Sequence, residues 1–123
     1  MSKHILVVDD SETCRKVTRL LLESQLGLDV CGEAVDGVDA VEKARTLKPD
    51  LVVLDLAMPR MNGVEAASEL RAMMPRVPIV LFTMYDDAVG RASALSAGAN
   101  LVVSKPSGGW KLIDCVQSLL HAA

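Results

Sequence analysis

The 123-residue chain has no excess of positive charge, no long apolar run and too few cysteines for a disulfide framework. Thirteen Lys and Arg stand against sixteen Asp and Glu, giving a formal net charge of −3 and a pI near 5.3. Such a chain offers no broad cationic surface to a phosphate backbone. Direct nucleic-acid binding is therefore not expected, and the partner to look for is a protein or an ion. Cys14, Cys31 and Cys115 are odd in number, widely spaced and set among apolar residues. That excludes both a paired framework and zinc-ligand spacing, and reads as thiols serving as small core hydrophobes in a reducing cytoplasm. No stretch approaches the ~18 apolar residues of a membrane span, and no basic-then-apolar leader opens the sequence, so neither insertion nor secretion is expected. Ser/Gly/Pro-rich linkers, repeats and low-complexity tracts are missing too. One domain covering residues 1–123, without an output domain, is the expectation.

What is present is one pattern used five times: a short β-branched apolar run, a turn, then a longer stretch with helical spacing. The runs are Ile5–Val8, Leu28–Ala34, Leu51–Leu54, Ile79–Phe82 and Leu101–Val103. In the last helical stretch Leu112, Ile113, Val116, Leu119 and Leu120 fall on one face. Strands alternating with helices imply βαβ crossovers and a parallel sheet covered on both sides. The first, third and fourth runs are continuously apolar and suit the interior. The second, interrupted by Asp29, Cys31, Gly32 and Glu33, and the short fifth suit the edges. The expected fold is a flavodoxin-like (βα)5, a doubly wound five-stranded parallel sheet in the order 2-1-3-4-5.

The polar residues that break this pattern all lie where strands end. Asp9 and Asp10 close the first strand, Asp55 the third and Thr83 the fourth, and Lys105 follows the fifth after Ser104. Taken singly, an Asp in such a place is ordinarily a helix N-cap or turn residue, Lys105 a solvated charge and Thr83 a plain strand residue. As a set they share the carboxyl edge of the sheet, where open α/β sheets bind ligands. Three carboxylates crowded there repel one another unless a cation sits among them, and an oxygen-only donor set with room for water suits Mg²⁺. With a metal bound, a phosphate can approach, Lys and Thr can satisfy its oxygens, and a facing carboxylate can attack phosphorus.

The motifs "ILVVDD", "VVLDLAMPRMNG", "VLFT" and "SKP", in this order along the whole chain, resemble those of the CheY-like receiver domains of two-component response regulators. The resemblance implies that Asp55 accepts a phosphoryl group from a phosphohistidine on a histidine kinase or histidine phosphotransfer protein. It implies that Asp10 ligates Mg²⁺ directly and Asp9 through water, with Asp55 and the Ala57 backbone carbonyl completing the protein ligands. Lys105 pairs with phosphoryl oxygens, and Thr83 moves toward the phosphoryl group to report its arrival. The activity implied is a signalling switch that catalyses only its own phosphoryl transfer and dephosphorylation. The resemblance further implies a cis Lys105–Pro106 bond that aims the lysine inward. His4 and His121 do not look like phosphodonors.

Three departures from the family pattern bear on output. Val102 replaces the usual inward-turning aromatic, Asn62 stands where Asp is frequent, and Met84 is larger than the usual small residue beside the Thr. Met84 either overhangs the pocket or fills space next to the loop. "TMYDD" resembles the subgroup whose receivers precede DNA-binding output domains. The fourth helix is rich in small residues, with Gly90 inside it, so the face made by helix 4, strand 5 and helix 5 is expected to carry the signal to an effector or output domain, and could serve a homodimer. Trp110 is expected to pack at the start of helix 5, with partner contact as the alternative. Arg15, Lys16 and Arg19 read as a solvated basic face or as steering charges for a kinase. Two other functions remain open. One is a phosphatase of the haloacid dehalogenase kind, against which Ala57 stands where that pattern needs a second acid. The other is a receiver-like protein-binding module that works without phosphorylation.

Overall fold

A computed structural model describes residues 2–84 and 87–121 of the chain. The strands are β1 (Lys3–Val8), β2 (Leu28–Ala34), β3 (Leu51–Leu54), β4 (Ile79–Thr83) and β5 (Leu101–Ser104), each preceding a helix: α1 (Glu12–Glu23), α2 (Gly37–Leu47), α3 (Gly63–Met73), α4 (Ala88–Ala97) and α5 (Gly109–Leu120). All strand pairs are parallel and the order is β2-β1-β3-β4-β5. The predicted architecture is the observed one, with the two interrupted or short strands at the edges. β1 begins at Lys3, ahead of its apolar run, because the edge pairing with β2 starts at Lys3↔Leu28.

Alternation along the strands splits the core in two. Leu6, Val8, Val52, Leu54, Ile79, Leu81 and Val102 face α2, α3 and α4, which meet them through Ala40, Ala44, Ala66, Ala67, Leu70 and Ala94. Ile5, Val7, Leu51, Val53, Val80, Phe82 and Val103 face α1 and α5, which contribute Leu22, Leu112 and Val116. Alanine on the first face lets three helices sit close to the sheet. Larger side chains on the second fill the space under two. Each fully buried Val, Leu or Ile contributes about 1.5–3 kcal/mol, so this double layer fixes the strand order. Cys31 and Cys115 pack as partly buried members of the two clusters, and burial pushes the Cys31 thiol upward.

Local chemistry sets the helix ends. Ser11, Asp36, Asn62 and Asp87 cap α1, α2, α3 and α4 by accepting from Cys14, Asp39, Glu65 and Gly90 backbone N–H groups. Asn62 and Glu65 complete a capping box, so the Asn that departs from the family pattern does the work of an N-cap. At the far end of α4, Arg71 is a hub. Its guanidinium donates to the Gly98, Val77, Met74 and Pro75 carbonyls and to Asn100 Oδ1, which also accepts the Ile79 N–H.

Among the described residues no peptide bond is cis, so the expected cis Lys105–Pro106 bond is not found. Trans is the cheaper isomer by about 0.5–1 kcal/mol, and Lys105–Ser107 form a single 3₁₀ turn. The lysine reaches inward without the cis bond. Trp110 is likewise not packed: it stands 75% exposed on the first turn of α5. Of the α1 cations, Arg15 and Arg19 converge on Glu33 at 3.1 and 2.9 Å and the exposed Lys16 pairs with Glu12 at 3.4 Å. No described helix is long and apolar enough to cross a membrane.

Candidate functional site

The β-ladder runs one residue beyond β1 and β3, where the Asp9 N–H donates to the Ala34 carbonyl at 3.0 Å and the Asp55 N–H to the Val8 carbonyl at 2.9 Å. Both carboxylates therefore hang from backbone held as firmly as the sheet, a rigid mount for a reacting group. Behind Asp55 the chain turns through Met58–Asn62 and returns at Gly63, whose N–H donates to the Leu56 carbonyl at 2.7 Å. A Cβ on Gly63 would run into the Asp55 carbonyl oxygen, so only glycine lets α3 start against the back of the acidic residue.

The structure brings together Asp9, Asp10, Asp55, Thr83 and Lys105. Ligand atoms of the three carboxylates lie within 4.8 Å of one another, with Asp9 and Asp55 buried and Asp10 exposed at the rim. Lys105 Nζ donates to Asp9 Oδ2 at 2.7 Å and lies 3.5 Å from Asp55 Oδ2, over the Phe82 ring at 5.9 Å from its centroid. Asp9 Oδ1 accepts from the Ser11 N–H and Asp55 Oδ1 from the Leu56 N–H, and the buried Thr83 side chain is near enough to the Asp55 carboxylate to favour its charged form. Ala57 lies exposed in the loop just past Asp55.

Burial pushes the Asp55 carboxyl above its ordinary range; the Lys105 charge opposes this and the Asp9 charge adds to it. Burial alone would lower Lys105, but the Asp9 hydrogen bond and the charges of Asp55 and Asp9 outweigh it, leaving the ammonium firmly protonated. The pocket is thus short of positive charge: one lysine serves two buried carboxylates and sits closer to Asp9. A hard divalent cation fits this all-oxygen donor set and would relieve the shortfall.

Met84, beside Thr83, stands 60% exposed, so it does not fill space by the loop. Tyr85 and Asp86 of "TMYDD" lie outside the described residues. Sequence reasoning missed Asp36 and Arg60, whose ion pair at 2.7 Å joins the start of α2 to the loop after β3. The "DG" of Asp36–Gly37 is a legible helix start; its link to Arg60, 24 residues on, left no local mark.

The model of the response regulator receiver domain matches residues 5–117. The chemotaxis protein CheY of Halobacterium salinarum is 34% identical, over 99% of this chain and 100% of that protein. A protein-glutamate methylesterase/protein-glutamine glutaminase of Nocardioides is 42% identical over 84% of this chain, a segment that makes up 29% of its own length. The chain thus spans under a third of the methylesterase relatives it matches. The crystal structure of the response regulator domain of Thermotoga maritima CheB superposes with a TM-score of 0.91 at 30% identity, covering 100% of this chain and 99% of that one.

Proposed function

The chain belongs to the response regulator receiver domain family of two-component signalling, and from that premise we propose that Asp55 is the phosphoacceptor of a Mg²⁺-dependent switch. The observation that carries this is the shared lysine: Asp55 is buried, raised above its ordinary pKa, and faces a Lys105 ammonium already hydrogen-bonded to Asp9. A buried carboxylate that must share its lysine with a second carboxylate is poised to react rather than to stabilise.

In the proposed reaction an Asp55 carboxylate oxygen attacks the phosphorus of a phosphohistidine on a histidine kinase or histidine phosphotransfer protein. The O–P bond forms, the P–N bond breaks, and its electron pair returns to the imidazole nitrogen. Asp10, Asp55 and the Ala57 carbonyl would hold Mg²⁺, with Asp9 acting through water, and the ion when bound supplies countercharge to the phosphoryl oxygens. Lys105 shifts its donation from Asp9 to a phosphoryl oxygen. The Thr83 hydroxyl turns to the same group, drawing the end of β4 inward and so displacing the start of α4.

The output face is the surface of α4, β5 and α5, where Val89, Leu95, Leu101 and Trp110 stand exposed and can meet an effector, an output domain or a second copy. Switching on this face and self-dephosphorylation are the only activities proposed. The esterase activity of the longer relatives forms no part of it.

Intact mass after incubation with Mg²⁺ and acetyl phosphate tests the reading. A gain of one phosphoryl group that needs Mg²⁺ and vanishes in Asp55→Asn is expected. No gain by folded protein that binds Mg²⁺ would overturn it in favour of a binding module independent of phosphorylation.

A further inference from the structure

Two non-glycine residues have a left-handed backbone among those described, Lys48 at φ 49 and Arg60 at φ 62. Lys48 is the C-cap of α2, a position where that conformation is ordinary. Arg60 ends no helix. It lies in the middle of the β3–α3 loop, and a strained residue in such a place persists only when its surroundings hold it there.

The holding is done by the start of α2. Arg60 Nε donates to Asp36 Oδ2 at 2.7 Å, and the Gly37 N–H donates to the Met61 carbonyl at 3.0 Å. A Cβ on Gly37 would stand 2.6 Å from that carbonyl oxygen and 2.7 Å from Met61 Cβ, so the helix start and the loop touch backbone to backbone. Asp36 is a fixed post: it is 4% exposed, its Oδ1 accepts the Asp39 N–H at 2.9 Å, and its carbonyl accepts the Ala40 N–H. The loop is thus tied at its base by Gly63 to Leu56 and at its tip by Arg60 and Met61 to α2. Ala57 lies between the two ties.

Stability alone does not explain the pair. Its Asp36 end is buried but its Arg60 end is 61% exposed, and the modest return of such a half-exposed ion pair is set against the cost of a left-handed Arg60 backbone. We propose that the Arg60–Asp36 pair is a positioning latch that fixes the β3–α3 loop, so that the Ala57 carbonyl and Asp55 present one preset geometry to Mg²⁺. The inference rests on the proposed function of the pocket and adds a residue outside it that tunes the affinity for the ion.

The test compares Arg60→Gly, Arg60→Lys and Asp36→Asn with the wild type by Mg²⁺ titration calorimetry, thermal melting and acetyl phosphate labelling. Glycine takes the left-handed conformation freely and Asn still caps a helix, so neither change should unfold the protein. Arg60→Gly and Asp36→Asn are expected to weaken Mg²⁺ binding about tenfold, as loss of an outer support for a metal site does. Arg60→Gly should keep its melting midpoint within about 3 °C of the wild type. Labelling should slow at low Mg²⁺ and recover at saturating Mg²⁺, and Arg60→Lys should restore part of the affinity. Wild-type Mg²⁺ affinity in Arg60→Gly would overturn the latch and leave the phosphoacceptor standing. Loss of stability and Mg²⁺ binding together would replace it with a purely structural role. A wild type that neither binds Mg²⁺ nor gains mass would remove the premise itself.

Discussion

Asp36 and Asp55 are both buried carboxylates at the carboxyl edge of the sheet, and their surroundings treat them in opposite ways. The Arg60 hydrogen bond, with the Asp39 N–H behind it, holds Asp36 below the ordinary carboxylate range. Asp55 is pushed above that range by its burial, and its nearest cation is shared with Asp9. A carboxylate with a structural task is given partners enough to stay charged in comfort. The one proposed to carry the chemistry is left short of them, at a cost in folding energy.

The contrast can be broken experimentally, beginning with the largest effect. Asp55 is short of charge partners yet tightly seated. Gly63→Ala, which places a methyl against its carbonyl oxygen, should therefore destabilise by about 1–3 kcal/mol in denaturant unfolding. A smaller loss would mean that the seat is loose. Asp36→Ala removes a cap and an ion pair together and should cost about 1–2 kcal/mol, whereas Asp36→Asn, which keeps the cap, should cost less than half as much. Asp55→Asn should go the other way. A folded pKa raised above the unfolded one means that ionisation favours unfolding, so at neutral pH without Mg²⁺ this variant should melt higher than the wild type. A lower midpoint would erase the contrast.

The smallest effect is one of pH. The depressed Asp36 pKa contributes stability that is present above its unfolded value, about 3.9, and lost as pH falls through the folded value. The stability gap between wild type and Asp36→Asn should accordingly be constant from pH 5 to 7 and shrink toward acid, within the general loss of stability of both proteins.

The strands were legible in the sequence because their burial on two faces leaves continuous apolar runs, and their order because the interrupted and short runs had to lie at the edges. The five pocket residues were legible for a related reason. Each ends a strand, and the topology alone carries strand ends to one edge. Arg60 was not, since a left-handed Arg and a partner 24 residues away leave no periodicity to read. Trp110 misled because a large apolar residue at a helix start suggests packing, whereas the turn at Gly108 sets it on the outer side of α5. The Lys105–Pro106 expectation came from resemblance, and the trans turn reaches the same carboxylates.

Arg71 leaves one consequence for α4. Its five acceptors rivet the residues just beyond the carboxyl end of that helix to α3 and β4, and Gly98 lies against the Arg71 side chain so closely that a Cβ would not fit. The ten-residue helix, about 15 Å long, begins at Ala88, five residues after Thr83 closes β4. In the proposed switch α4 would act as a lever with its fulcrum at Gly98, far from the pocket: displacement of its amino-terminal end would rotate the rod instead of sliding it, and would die away toward Gly98.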